Sequence, residues 1–596
     1  MNSAAIIHRA DAAYIYPISR DTLHIRLTAA YCDLDEAELL YWPRGETAPA
    51  VRRHIPLIPR LRDAERDYFA ATIQTDGIAA YVRYVFRLRA GGEERWLCPN
   101  GLRKTEPAMD EEFFEFLWPN PGDCYAAPDW CCRQVYYQIF PERFRNGDVS
   151  CTPAGAEPWG SPPTRSNFMG GDLAGICEKL DYIADLGATC IYLNPVFDAP
   201  SNHKYDTRDY YKIDPQFGTE GDLRRLVEQA HKRGIRVILD GVFNHCGYEW
   251  APFQDVVENG AASRYRSWFF PDSFPVTLEK QNYDCVGHYK WMPKLNHANP
   301  QLRRYFTGVG TYWLRRTGAD GWRLDVADEV PMTFWEEFSG RVKRVFPKTM
   351  LLGETWSDAA RLVSPGRLDS AMNYVFRDAV RDWLALGKIG AGQFSHRANR
   401  MLALYPFEVS LRMYNLLDSH DTERFLTLCG GNETAYRLAV ALQMCFPGCP
   451  AIYYGDEIGM EGGNDPDCRR AMDWERAENA PPLLLWFKQL TALRKNSPAL
   501  LEGGFYVSLC DNAANVFGFC RTHETENILV VICAGGAPYT GLARVPAGGF
   551  WRDVFSGTEF YTRNDPSTDP YSSLCPELLE VSLAGQGVRI FRQIRK

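Results

Sequence analysis

Four stretches of this chain run through apolar residues and end on groups that can exchange protons. "VILDGVFNH" supplies Asp240, Asn244 and His245, and "GWRLDVADEV" supplies Arg323, Asp325, Asp328 and Glu329. "LLGETW" ends on Glu354, and "NLLDSHDTERF" carries His420 and Asp421. A hydrophobic core gains nothing from acids at four strand ends, because each unpaired buried charge costs several kcal/mol. One shared polar site is the simpler reading. Two carboxylates facing one site suit cleavage of a glycosidic bond: one attacks the anomeric carbon or activates water, and the other protonates the leaving oxygen.

Within "GWRLDVADEV" side chains alternate faces, so Trp322, Leu324 and Val326 share one side while Arg323 and Asp325 share the other. The first set is expected to pack under helices and the second to point inward. Arg323, two residues before Asp325, is expected to hold that carboxylate ionised. Taken alone the pair reads equally well as a structural ion pair; its recurrence at other strand ends favours chemistry.

The elements that must position these residues follow from periodicity. Residues 1–122 alternate short apolar runs with turns, as in "LHIRLTAAYCDLDEAELLYWPRG" and "AAYVRYVFRLRAGGEERWLCP", and read as an antiparallel β-sandwich. From 123 to 502 short strands alternate with helices. Eight strands are expected, beginning at Val135, Cys190, Arg236, Gly321, Met350, Ala371, Met413 and Pro450. Eight parallel strands close a (β/α)8 TIM barrel, whose catalytic groups sit at the C-terminal strand ends. "EGDLRRLVEQAHKRG" shows the intervening helical pattern, with Leu223, Leu226, Val227 and Ala230 at i, i+3, i+4 and i+7. Residues 246–299 are far too long for an ordinary βα loop and read as a small inserted domain. Residues 503–596 return to strands and form a C-terminal β domain.

Composition bounds the function. With 596 residues, roughly 100 to 200 per domain gives about three or four domains. A net charge of −9 with no basic run excludes a polyanion-binding or membrane-surface protein and favours a small, neutral substrate. The opening "MNSAAIIHRAD" has an apolar run too short for a signal-peptide core, and no stretch approaches a membrane span, so a cytoplasmic protein is expected. The 18 cysteines include no C-x-x-C pair and several lie in apolar runs, which predicts reduced, structural thiols.

In their order and spacing, "DGVFNH", "GWRLDVADEV", "GETW" and "LLDSHDTERF" resemble the four signature regions of the α-amylase superfamily, glycoside hydrolase family 13. "YYQIFPERF", "LNPVFDAPSNHKYDTRDYYKIDPQFG" and "YYGDEIGMEGGNDPDCRRAMDW" extend the match. "MPKLN" at 292–296 and the N-terminal β domain, carbohydrate-binding-like in that family, resemble its neopullulanase, cyclomaltodextrinase and maltogenic amylase subgroup. The resemblance implies a nucleophile at Asp325, a general acid/base at Glu354 and a third acid at Asp421. Arg323 would position Asp325, His245 and His420 would contact the sugar at the cleavage point, and Tyr205 would stack on it with His203 nearby. Asp240 matches a structural acid at the base of the pocket. Trp356, Glu329, Tyr374, Asp465 and Arg469 match flanking substrate contacts, although Trp356 and Tyr374 also suit a core, and Asp465 with Arg469 a surface ion pair.

The family further implies hydrolysis of α-1,4 bonds, with α-1,6 bonds left open, in maltooligosaccharides, cyclodextrins or pullulan. A covalent glucosyl-enzyme requires the carboxyls of Asp325 and Glu354 to lie about 5 to 5.5 Å apart. It also implies a homodimer formed through the N-terminal domain, and no required cofactor. A transglycosylase on the same scaffold would share the glucosyl-enzyme; a non-catalytic carbohydrate-binding relative would lack one or more of the acids. Three departures stand out. Asp328 replaces the subgroup's usual Asn and is expected to alter the acceptor side. Asp418 replaces a frequent Gly and is expected to add charge near the rim. The family's calcium segment retains Asn146, Asp148, Gly171 and Asp172, but "VSCTP" replaces a second Asn-Asp pair, and calcium needs six to eight oxygens, so calcium is left open.

Overall fold

The computed structural model describes residues 1–46, 51–108, 112–567 and 575–594. In the N-terminal strands the period of two is realised in side-chain direction. Leu23, Ile25 and Leu27 of Thr22–Ala30 point into a core shared with Phe69, Ala71 and Ile73 of its partner Arg66–Gln74. Tyr84, Phe86 and Leu88 of Val82–Ala90 close that core from the facing sheet, so two antiparallel sheets pack as a sandwich. The sandwich leans on the barrel: the Arg26 guanidinium donates to the Ala403 carbonyl, and the Tyr16 hydroxyl lies 3.5 Å from the Glu408 carboxylate.

The barrel strands are β1 (Tyr136–Ile139), β2 (Cys190–Leu193), β3 (Arg236–Gly241) and β4 (Gly321–Leu324), then β5 (Met350–Gly353), β6 (Ser370–Ala371), β7 (Tyr414–Leu416) and β8 (Cys449–Tyr453). They pair in parallel in the order β6-β5-β4-β3-β2-β1-β8-β7 among the described residues. Closure between β6 and β7 rests on a single Met372–Tyr414 bridge, with the Asn373 amide donating to the Tyr414 carbonyl at 2.8 Å. Tyr136, Tyr192, Ile238, Leu352, Tyr414 and Leu416 fill the interior below the site, so the barrel is a packed core and not a pore.

Register is what matters for function. Asp240 of β3 pairs with Arg323 of β4, and Leu324 pairs with Gly353 of β5. The residues that follow, Asp325 and Glu354, therefore leave neighbouring strands at the same height. Outside, Trp322 and Leu324 pack beneath helices, as expected from alternation. One of these helices, α1 (Glu220–Lys232), begins with a Thr219–Asp222 capping box and buries Leu223, Leu226, Val227 and Ala230. Another, α2 (Pro300–Thr317), is capped by Asn299 and ends at left-handed Gly318.

The structure departs from the sequence reading in three places. β4 ends at Leu324, and Val326, expected among the outward apolar residues, adopts φ 45° and turns its side chain toward the open rim. β6 is two residues long because Asn373 caps a helix at Tyr374, which takes over the last three residues of "AMNYVF". Asp418 does not charge the rim: it is 2% exposed and accepts from the Phe425 amide at 2.6 Å beneath the β7 loop. Residues 246–299 hold the helix Ala251–Asn259 and bridges from Pro271 to Tyr283 and from Cys285 to Pro293, and a His245–Lys294 bridge ties them to β3. The C-terminal domain packs two sheets around Val516, Leu529, Val581 and Trp551, and its Phe517 meets Trp383 and Phe394 of the barrel.

Candidate active site

Arg323 is the hub. It has no solvent exposure, and its Nη1 lies 3.0 Å from both Asp240 oxygens and 2.7 Å from Asp325 Oδ1. Its Nη2 lies 2.7 Å from Glu354 Oε2. One guanidinium thus holds three carboxyl groups, two of them on the adjacent strand ends β4 and β5. Glu354 Oε2 also accepts the Val326 backbone N–H at 2.9 Å. That amide belongs to the left-handed residue, so the turn after β4 and the acid after β5 are fastened together.

Asp240 anchors the floor, accepting from the Tyr192 hydroxyl at 2.6 Å and the Tyr205 hydroxyl at 2.9 Å. Tyr205 in turn receives Asn194 Nδ2 at 2.9 Å and meets His420 Nε2 at 2.7 Å, the two rings lying 8° from parallel. His420 Nδ1 faces Gln138 Nε2 at 2.8 Å. Hydrogen bonds run from Gln138 on β1 to Arg323, and the charge contact of Nη2 with Glu354 carries the network on to β5; Arg323 Nε and Nη2 themselves find no hydrogen-bond acceptor among the described residues.

Burial decides the electrostatics. It pushes the Asp325 carboxyl well above the usual carboxylate range and outweighs the opposing pull of Arg323, so the expectation that Arg323 alone keeps Asp325 ionised is too simple. Arg323 limits that rise. Burial also raises Asp240 to about 6, again against Arg323. His245 is pushed down to about 3 by burial, reinforced by the charge of Lys294, and burial drives His420 well below 6.5. Both imidazoles are therefore neutral in the working range. His245 Nε2 has no hydrogen-bond partner among the described residues and lies 3.9 Å from Asp325 Oδ2, which leaves it free for a ligand.

Above this floor lies a cleft of about 800 Å³. Asp325, Glu354, Asp421, His203, Tyr205 and His245 line it, as do Trp356, Asp465 and Arg469. His203 accepts from the Tyr205 amide at Nδ1, 3.1 Å away, so its Nε2 carries the proton. Asp421 Oδ1 lies 3.2 Å from Arg469 Nη2, whose Nη1 is 2.9 Å from Asp465 Oδ1. These two groups line the cleft and brace Asp421, which is more than a surface ion pair does. Trp356 is 51% exposed and stacks at 4.1 Å on Tyr374, which is buried and bonded to Ser419. Tyr374 supports the tryptophan platform and does not itself line the cleft. Glu329 stands outside the lining too, held by Lys294 at 2.9 Å and Asn244 at 3.2 Å, and Asp328 is exposed with Thr355 donating to it at 2.9 Å.

Sequence reasoning missed one wall of the cleft. Val286, Tyr289, Trp291 and Met292 of the insertion line it, both aromatic rings being 47% exposed. The alternation of Tyr289 and Trp291 directly before "MPKLN" was the available signal. Arg165 and Phe168 were missed as well, and no pattern in their loop marks them.

The suggested calcium ligands do not form a cage. Asp172 spends both oxygens on backbone amides: Oδ1 caps Gly175 at 2.6 Å, and Oδ2 accepts from Gly147 at 3.1 Å and Asp148 at 2.8 Å. Asp148 Oδ1 is taken by Ser150, and Asn146 donates to Thr152 at 2.8 Å. Gly171 sits against the Pro141 carbonyl, where a Cβ would come within 2.2 Å. Among the buried side-chain oxygens of these four residues only Asn146 Oδ1 lacks a hydrogen-bond partner among the described residues, so the carboxylates a calcium ion needs are largely engaged elsewhere.

A (β/α)8 barrel with two carboxyls on adjacent strand ends, gathered by one arginine under an open cleft, defines a glycoside hydrolase. The chain belongs to the α-amylase family: the model described as alpha amylase, catalytic domain, matches residues 138–483, and that described as alpha amylase, N-terminal ig-like domain, matches residues 1–120. It is 44% identical over 538 residues to a cyclomaltodextrinase of Geobacillus thermopakistaniensis, covering 89% of this chain and 91% of the relative. It is 42% identical over 564 residues to neopullulanase 2 of Thermoactinomyces vulgaris, covering 94% and 96%. A solved cyclomaltodextrinase structure superposes with a TM-score of 0.92 at 35% identity, over the full length of both chains.

Proposed function

We propose that the protein hydrolyses α-1,4-glucosidic bonds of maltooligosaccharides, cyclodextrins or pullulan with retention of configuration. The observation that carries this is the shared guanidinium, which holds Asp325 and Glu354 side by side at the cleft floor. The Asp325 carboxylate attacks the anomeric carbon as the Glu354 carboxyl gives its proton to the glycosidic oxygen, the C–O bond breaks and the aglycone leaves as an alcohol. Glu354, now a carboxylate, takes a proton from water as that water attacks the anomeric carbon, which releases Asp325. Neutral His245 presents its unpartnered Nε2 to a sugar hydroxyl, whereas His420, expected as a sugar contact, is fully buried with both ring nitrogens taken by Tyr205 and Gln138 and braces the floor instead; the exposed face of Trp356 offers a sugar a flat apolar surface. Proton NMR of fresh maltotriose digests tests this: α-anomeric products support it, and β-anomers would overturn it. A rate on soluble starch well above that on β-cyclodextrin would overturn the substrate class.

Three further readings accompany it. Eighteen free thiols fit a reducing, cytoplasmic setting, and no helix among the described residues is long and apolar enough to cross a membrane. The exposed Ile78, Tyr81, Leu117 and Trp118 form an apolar patch on the N-terminal domain that suits a homodimer contact. Light scattering should then give twice the chain mass, with Trp118→Asp shifting it toward the monomer. Because Asp172 is committed to backbone amides, no calcium is required: dialysis against EDTA should leave both kcat and the melting temperature unchanged, whereas a fall restored by calcium would refute this.

A further inference from the structure

A second cleft of about 680 Å³ lies outside the catalytic one, bordered by Arg145, Trp159, Pro162, Glu461, Asp467 and Arg470. A smaller cavity of about 410 Å³, lined by Asn146, Thr152 and Met169, also borders Trp159. The indole is 37% exposed, and its Nε1 donates to the Met472 carbonyl at 3.0 Å, which fixes the ring. A fixed, part-exposed indole bordering two cavities, surrounded by hydrogen-bonding side chains, suits a ligand that combines flat apolar faces with many hydroxyls.

The charges around it argue against an ion. Arg470 is committed to Asp467 by two 2.8 Å hydrogen bonds, and Arg145 reaches Glu178 at 3.4 Å. Asp473 caps a helix by accepting from the Arg476 amide at 2.9 Å. Positive and negative groups are interspersed, so neither an anion nor a cation finds a field, whereas a neutral polyol finds donors and acceptors.

The two clefts share a wall. Residues 159–163 border the second cleft and Arg165, Ser166 and Phe168 border the catalytic one; Glu461, Asp467 and Arg470 face the second, and Asn464, Asp465 and Arg469 the first. Arg143 joins the two loops of this wall, with Nη2 donating to the Asn167 carbonyl at 3.0 Å and Nε to the Arg469 carbonyl at 3.1 Å.

We propose that the Trp159 cleft is an auxiliary binding site for a segment of α-glucan chain, placed across a shared wall from the catalytic cleft. It holds longer substrates near the active site without contacting the scissile bond. The proposal rests on the reading that α-glucans are the substrate, and the test separates the two. Calorimetric titration of the Asp325→Asn variant with maltoheptaose should resolve two binding events, and Asp325→Asn/Trp159→Ala only one. In otherwise unaltered enzyme, Trp159→Ala should leave kcat/KM for maltotriose within about twofold and lower it for maltoheptaose about fivefold, with Trp159→Phe retaining most of that difference. A single event in both titrations, or equal losses on short and long substrates, overturns the auxiliary site. So does a Trp159→Ala variant whose oligomeric state changes while its sugar titration does not, which would mark the surface as a contact between copies. Failure of the wild type to cleave maltotriose would instead refute the substrate reading.

Discussion

Glu354→Gln is expected to lower kcat on maltotriose by about 10³- to 10⁴-fold, the upper range of what a positioned general acid contributes. The amide is nearly isosteric and can still meet Arg323 Nη2 and the Val326 amide, now 2.7 and 2.9 Å from Oε2, so the fold should be kept. The diagnostic lies in the leaving group. With α-maltosyl fluoride, whose fluoride departs with little protonation, the first step should be nearly restored. Azide should then accelerate turnover by attacking the glucosyl-enzyme without a general base. A variant equally slow on both substrates, and deaf to azide, would remove Glu354 from the acid/base role.

Arg323→Met carries the second large effect, because it removes the cation that three carboxyls share. Leaving buried charges uncompensated destabilises by about 3–5 kcal/mol, and losing the group that orients the two catalytic acids should lower kcat by about 10²- to 10³-fold. The pH profile supplies the sign. Burial already raises Asp325, and Arg323 is the main influence opposing that rise. Without it the carboxyl moves higher still, so ionised nucleophile appears only at more alkaline pH and the acid limb of kcat/KM shifts upward. Arg323→Lys retains a charge but not the two-armed geometry, and should recover stability better than rate. An acid limb that does not move in Arg323→Met would sever Arg323 from the ionisation of Asp325.

The barrel and its chemistry were legible because their signals are periodic. Strand alternation separates Trp322 and Leu324 from Arg323 and Asp325, and parallel pairing then brings Asp325 and Glu354 to one height. The rest depends on chain paths that residue type does not encode. The positive φ of Val326 is unusual for a β-branched residue, so no reading of type alone would have ended β4 at Leu324. Tyr374 was grouped with Trp356 as a contact, and only the 4.1 Å stack reveals that one carries the other. Asp418 was expected to charge the rim because it stands where the resembling subgroup often has Gly, yet its carboxylate turns inward and accepts from the Phe425 amide. The Trp159 cleft arises between two loops distant in sequence, where no local pattern exists to be read.

Val326 has a bearing on how this enzyme could be improved. A β-branched residue held left-handed costs of the order of 1–3 kcal/mol, and that cost fastens the Glu354 carboxylate to a backbone amide. A search for thermostable variants should therefore find Val326→Gly readily, since glycine adopts that conformation without strain. The same relief would let the turn wander and slacken the acid it holds, so heat resistance gained at this position should come with lower turnover. Stability is better sought in the C-terminal sandwich, whose core of Val516, Leu529, Val581 and Trp551 shares no residue with the cleft.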